Sequence, residues 1–376
     1  MSEHHHVRGD CDPHFGFVRE LVERELDSGN AIGQAVAVVV EGETVAHVWG
    51  GHAAADRREP WTADTIGCLF SASKPIAAAC ALKLIERGHL ELDAPVARYW
   101  PEFGRAGKQD TTVRHVLAHL AGVPIAESAQ PRSVYQRELL VRALEAQRPL
   151  WPPGTQLCFH SFTHGILTGE LVRRIDGRAL PAFFRSEFAE PFGLDIAFAL
   201  DASEQARCAD VVLVEDNPLF RMMTDADTPL GRSWRPMPWA ELNTPQFRSC
   251  DFPSIGGHGS ALGLARFYAA MAAGGQLRGA RLLDEAIVRE ALTTQRHEQD
   301  VFMGAPVRMG LAFMLANDVF PFTGRSSAFG QPGLGGVAGI GDTEGRLGIG
   351  VVCNRLSAAI ENPFLEALLE RVVAVI

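Results

Sequence analysis

The chain has 376 residues, 47% hydrophobic and 21% charged, with 45 acidic against 35 basic side chains and a formal net charge of −10. That composition is that of a folded globular protein, and the length exceeds what one hydrophobic core usually serves, so two subdomains or one large composite domain are expected. The acidic balance without any basic stripe argues against nucleic acid as a partner, and the longest apolar runs, "AVAVVV" (35–40) and "PIAAACAL" (75–82), are far too short to span a membrane.

In chain order, the opening "MSEHHHVRGDCD" carries no apolar export segment, and its histidines receive no chemical role. Seven cysteines (Cys11, Cys68, Cys80, Cys158, Cys208, Cys250, Cys353) are dispersed without a C-x-x-C pair, which reads as reduced thiols in a cytoplasm. Residues 13–28 have helical spacing of apolar positions. Residues 31–53 read as a β-hairpin turning at Glu41-Gly42-Glu43. Helical patterns follow over 75–89, 112–120, 135–147, 164–176, 180–190 and 260–273. Residues 202–256 lack periodicity and read as long surface structure near a site. Strand-like runs return at 308–315, 336–342 and 347–354, with a turn at 343–346 between the last two, and a helix is expected over 357–375. Strands at both chain ends predict an α/β fold whose sheet domain is built from 1–66 and 296–376, with a mostly helical domain over 67–295 and the active site between them.

The stretch "FSASKPIAAACALKLIERGHL" (70–90) sets Ser71 and Lys74 three positions apart at a helix start. That spacing puts both side chains on one face. A helix N-terminus favours an alkoxide and an oxyanion, and a buried amine loses basicity enough to accept a serine proton. Pro75 in the first turn fixes where the helix begins. The bland alternative is that Ser71 or Ser73 is an N-cap.

A longer pattern decides between them. "DTIGCLFSASKPIAAACALKLIERGHLELDAPVARYWPEF", then "TTVRHVLAHLAGVP", "WPPGTQLCFHSFTHGILTGELVRRIDGRAL", "FPSIGGHGSALGLARFYAAMAAGG" and "FGQPGLGGVAGIGD" together resemble the serine β-lactamase-like superfamily, in its class C-like (family VIII) carboxylesterase branch. The likeness runs from about Cys11 to Asn354. It implies a β-lactamase/transpeptidase-like fold, an antiparallel sheet flanked by helices with an inserted, mostly helical region. It also implies Ser71 as nucleophile, Lys74 as base, and the Ser71 and Leu334 N–H groups as the oxyanion hole.

The sequence departs from that pattern twice. The family's catalytic tyrosine position is Phe159, and a phenyl ring carries no proton. Of the three tyrosines, Tyr99 and Tyr268 sit in structural-looking segments, and Tyr135 is a weak substitute over the cleft. His160 is common in the esterase branch and is no evidence of a compensating base. The third motif reads Gln331-Pro332-Gly333, so the usual cationic clamp is absent while Gly333 still lets the backbone approach a ligand.

Other constellations are weaker. His115 and His119 have zinc-helix spacing without the glutamate of H-E-x-x-H, and neither glycine-rich run carries a nucleotide fingerprint, so no metal and no cofactor is expected. His258 lines either the cleft or a turn. Trp234, with Trp239, Met222, Met223 and Met237, makes either an apolar substrate wall or lid packing. The whole implies ester hydrolysis through an acyl-Ser71 intermediate, its partners a small-molecule acyl donor and water or a small nucleophilic acceptor. The alternatives are a cytoplasmic acyltransferase serving natural-product biosynthesis, with an amine or alcohol acceptor, and a catalytically weakened binding protein on the same fold.

Overall fold

The computed structural model describes residues 7–214, 217–356 and 363–376. Nine strands form one antiparallel sheet: β1 (Arg8–Cys11), β2 (Gly33–Val40), β3 (Glu43–Gly51), β4 (Arg296–Gln299), β5 (Pro306–Met309), β6 (Met314–Leu315), β7 (Ala328–Pro332), β8 (Ala338–Asp342) and β9 (Leu347–Cys353). Their order across the sheet is β1-β3-β2-β9-β8-β7-β6-β5-β4. The two chain ends are joined where β9 pairs with β2, Val351 opposite Val36 and Leu347 opposite Val40. Five helices matter for the site and its support: α1 (Phe17–Asp27), α2 (Ser73–Glu86), α3 (Thr163–Asp176), α4 (Ala261–Ala272) and α5 (Pro363–Val373). Residues 357–362 of the helix expected at the C-terminus lie outside the described residues.

Strand alternation sorts the sheet into two different faces. Val36, Val38, Ile340, Ile349 and Val351 bury against Phe17, Val18, Leu21, Leu368 and Val372 of α1 and α5. On the opposite face stand Gly339, Gly341, Gly348 and Gly350, and α4 packs against β8 and β9 there. A Cβ at Gly350 would lie 2.1 Å from the Ala261 carbonyl oxygen, and one at Gly348 would lie 2.2 Å from that of Ala265. The alternate glycines of "AGIGD" and "LGIGVVC" thus lower the sheet surface so that a helix backbone can lie directly upon it. Helix α4 falls inside the 67–295 span expected to form a separate helical domain, yet it is the inner cover of the sheet.

Two expectations are corrected, over 308–315 and 202–256, and one is refined. The single strand over 308–315 is two antiparallel strands, because Gly310 N–H donates to the Phe313 carbonyl (2.8 Å) and closes a tight turn inside an apolar run. The helix expected over 180–190 is present and runs continuously from Leu180 to Phe192, with a π-helical turn over Arg185–Ala189 inside it. Residues 202–256 are not surface structure throughout: Trp234 and Phe247, on short helices at 229–234 and 245–248, and Met237, Phe252 and Ile255 in the connecting chain are all buried. Among the described residues no helix is long and apolar enough to cross a membrane.

Because the Gly350 contact is backbone against backbone, Gly350→Val should displace α4 and cost about 3 kcal/mol or more. A urea unfolding midpoint close to that of the unchanged protein would refute the close-approach role.

Candidate active site

The short strand Gly67–Cys68 runs into a 3-10 turn, Phe70–Ala72, that feeds directly into α2. Phe70 is buried and holds φ at 46°, a left-handed conformation that a bulky aromatic residue adopts only when its surroundings enforce it. Leu69 N–H donates to the Gly257 carbonyl (2.8 Å), and Gly257 N–H donates back to Ser73 Oγ (3.1 Å). This strained turn leaves Ser71 half-buried at the helix entry while Ser73 and Lys74 beside it are fully buried.

Lys74 Nζ lies 3.1 Å from Ser71 Oγ and donates to the Ser254 carbonyl at 2.9 Å. No carboxylate bonds it among the described residues, and burial pushes its pKa well below the ordinary lysine value. A neutral amine has two hydrogens and one lone pair. With one hydrogen on Ser254 O, the lone pair is free to take the Ser71 proton. Ser254 holds the opposite wall as well: its hydroxyl donates to the Phe162 carbonyl and accepts from Gly165 N–H (2.9 Å).

The Phe159 ring sits over Lys74 Nζ, 4.8 Å from nitrogen to centroid. Its other neighbour is His119, stacked at 4.6 Å, which itself stacks on His164 at 4.4 Å. The phenyl ring is fixed from outside by Asp300 in the β4–β5 hairpin, whose carboxylate accepts from the N–H groups of Phe159, Phe302 and Met303. Burial raises the Asp300 pKa even against those three donors.

His160 faces structural work. Val123 N–H donates to its Nε2 (3.1 Å), so its proton is on Nδ1, which donates to the Cys158 carbonyl (2.6 Å). Burial lowers its pKa to about 4, so the ring is neutral and both nitrogens are engaged. It pins the chain that carries Phe159.

The end of β7 brings the third motif to the serine. This strand packs against the Phe70–Ala72 turn, and a Cβ at Gly333 would come 2.5 Å from the Leu69 carbonyl oxygen. A short 3-10 turn, Leu334–Gly336, follows, with Gly335 at φ 80°. Gln331 is 1% exposed; its Nε2 donates to the Pro332 carbonyl (3.1 Å), and its Oε1 has no partner among the described residues.

Several candidates are engaged elsewhere. Tyr135 donates to Glu241 (2.8 Å), and burial with that carboxylate raises its pKa to about 12, so the phenol is a committed donor rather than a proton relay. Trp234 packs edge-on against Phe162 at 5.9 Å and tilted against Trp239 at 5.4 Å, and is 4% exposed, which is packing and not an open substrate wall. His258 points into a separate cavity of about 210 Å³ lined by Ile66, Asp195, Glu204 and Arg207, because its neighbour Gly257 takes the face turned to Ser73. His115 closes a capping box with Thr112, and His119 Nδ1 accepts from His160 N–H (2.9 Å); the zinc-like spacing serves these two separate bonds.

Sequence reasoning missed Ser254 and Asp300. Ser254 lay inside a quoted landmark, "FPSIGGHGS", but its service is through a backbone carbonyl, for which no side-chain pattern exists. Asp300 joins Phe159 across 141 positions of chain and had no local signal.

Comparison with known proteins shows the family and the fold. The Beta-lactamase family profile matches residues 18–370. Esterase/beta-lactamase LipL of Mycobacterium tuberculosis (strain ATCC 25618 / H37Rv) is 31% identical over 362 residues, 93% of this chain and 83% of that protein. A crystal structure of a family VIII carboxylesterase superposes with a TM-score of 0.89 at 31% identity, covering 99% of this chain and all of the other. EstA from Arthrobacter nitroguajacolicus Rue61a gives a TM-score of 0.86 at 29% identity over 98% of both chains. The chain belongs to the Beta-lactamase family, and it is an enzyme of the serine hydrolase class.

The buried amine also makes a stability statement. Burial lowers the folded-state pKa of Lys74 well below the unfolded value near 10.5, so between the two the unfolded chain binds the extra proton and this group's contribution to stability rises with pH. Relative to Lys74→Met, the wild type should therefore gain stability as pH rises from 7 to 9.5, by as much as ~1.4 kcal/mol per pH unit. Urea unfolding of both proteins at the two pH values measures it; a constant difference would mean that Lys74 is protonated in the fold.

Proposed function

We propose that the protein hydrolyses carboxylic esters through an acyl-Ser71 intermediate. The observation that carries this reading is the buried Lys74 amine, 3.1 Å from Ser71 Oγ and, among the described residues, bonded otherwise only to a neutral carbonyl. Lys74 takes the hydroxyl proton as Ser71 Oγ attacks the acyl carbon. The N–H groups of Ser71 and Leu334 hold the developing oxyanion, backbone donors that survive any side-chain change. The C–O bond to the alcohol breaks, the proton on Lys74 is available to the leaving oxygen, and water then releases the acid. The family VIII carboxylesterase and LipL likenesses support an ester as the substrate class. Seven free thiols favour work in a reducing compartment, the cytoplasm.

A fluorophosphonate probe should add one label to the intact protein by mass spectrometry. Ser71→Ala should abolish it, and Lys74→Ala should slow it by about a hundredfold or more while the protein stays folded. Undiminished labelling of Ser71→Ala would remove Ser71 from the mechanism.

A second reading, acyl transfer to an amine or alcohol acceptor in natural-product assembly, is favoured by one observation: a phenyl ring covers Lys74 where the family resemblance places a tyrosine hydroxyl. Without that hydroxyl, a poor leaving group and a water nucleophile lose proton-transfer help typically worth ~10²–10⁴-fold. Activated aryl esters need no such help to acylate Ser71, and amines need less than water to release the acyl group. With a p-nitrophenyl ester the wild type should show a burst, and added amine should divert product to amide beyond its share in bulk competition. Phe159→Tyr should shift the ratio toward hydrolysis. Equal turnover of aryl and alkyl esters, with no burst and no amide, would leave plain hydrolysis as the only reading.

A further inference from the structure

The cavity of about 210 Å³ beside His258 is separate from the reaction site. It lies across a small three-stranded sheet, in which Gly257–Gly259 runs between Gly67–Cys68 and Ile196–Phe198. Successive residues of a strand face opposite sides, so Gly257 turns to Ser73 and His258 to the cavity. His258 is 2% exposed. Its Nδ1 lies 3.1 Å from the Gly256 carbonyl, which can only accept, so that nitrogen holds the proton. Burial lowers the pKa of the ring to about 4. The neutral imidazole keeps a lone pair on Nε2 that no described residue bonds. One wall of the cavity comes from the π-helical turn Arg185–Ala189, an irregularity found frequently at functional sites.

The charges around the cavity favour a cation. Arg185 is bonded to Glu204 (2.9 Å), and Arg207 is forked onto Asp195 (2.6 and 3.0 Å). Glu190, exposed at the rim, has no ion-pair partner among the described residues. The lining thus holds three carboxylates against two guanidinium groups, and its buried imidazole offers an acceptor rather than a donor. Leu194 and Ile196, both buried, give an apolar wall for a hydrocarbon body. Among the described residues no three side chains come together to hold a metal ion. An apolar cavity of about 150 Å³ admits benzene, so this one has room for a small organic ion. We propose that the cavity binds a small primary alkylammonium ion. Its N–H donates to His258 Nε2, the carboxylates of Glu190, Asp195 and Glu204 hold its charge, and its alkyl chain lies against Leu194 and Ile196.

Butylammonium and tetramethylammonium are isomers of equal charge, and only the first carries N–H groups. Ligand line broadening in proton NMR, at constant ionic strength, should give butylammonium a dissociation constant on the order of 1 mM. Tetramethylammonium, which leaves the buried acceptor unpaired, should bind roughly tenfold more weakly or worse, and butanoate should not bind. Glu190→Lys should weaken butylammonium roughly tenfold, and His258→Phe should abolish saturable binding. Glu190 is exposed, so its exchange tests the site even where His258→Phe fails to fold. Equal binding of the two isomers, binding unchanged in Glu190→Lys or in folded His258→Phe, or no saturable binding of butylammonium below about 20 mM would overturn the assignment.

Discussion

An amine is held out of water beside a serine hydroxyl with no carboxylate to neutralise it. Desolvating a cation is expensive, so burial lowers the Lys74 pKa well below the ordinary lysine value and favours the neutral amine. That choice dictates the surroundings. Ser254 offers a carbonyl, which orients one amine hydrogen without stabilising a charge strongly. Phe159 closes one side with an aromatic face, and beyond it burial lowers the pKa of His119 and His164 well below the ordinary histidine value. A formal cation at Lys74 would meet favourable quadrupole at Phe159, but desolvation is the larger effect.

Geometry this specific needs rigid support, and it comes from both halves of the chain. The strained Phe70 turn is held through Leu69, Ser73 and Gly257, three residues from two segments nearly two hundred positions apart. The Phe159 segment is pinned by Asp300 from the far edge of the sheet and by His160 from within. The end of β7 is brought against the serine turn because glycine at 333 leaves room for the Leu69 carbonyl. The site is therefore a seam between sheet and helical layer. A displacement of either layer moves the base, the nucleophile or the backbone donors relative to one another, which is the sensitivity expected of a preorganised centre.

The replacement of a charged third-motif side chain by Gln331 changes the electrostatics of that seam. The side chain there is neutral and buried, and its Nε2 donates to the Pro332 carbonyl.

The three-residue spacing at a helix start set Ser71 and Lys74 on one face, and only the longer family pattern made them the candidate nucleophile and base. The sequence by itself determined the hairpin at Glu41–Glu43 and the sheet contributed by both chain ends, because period-two patterns are local. The alternate glycines in "AGIGD" and "LGIGVVC" are written in the sequence too, although their purpose, admitting α4 to the sheet surface, appears only in three dimensions. Tertiary structure alone decided what each remaining polar group does. It gave Tyr135 to Glu241, His160 to two backbone partners and His258 to a separate cavity. It supplied Ser254 and Asp300, whose service consists of a carbonyl offered across 180 positions and N–H groups accepted across 141. Hydrogen bonds of that kind obey distance in space, and nothing in residue type or spacing encodes them.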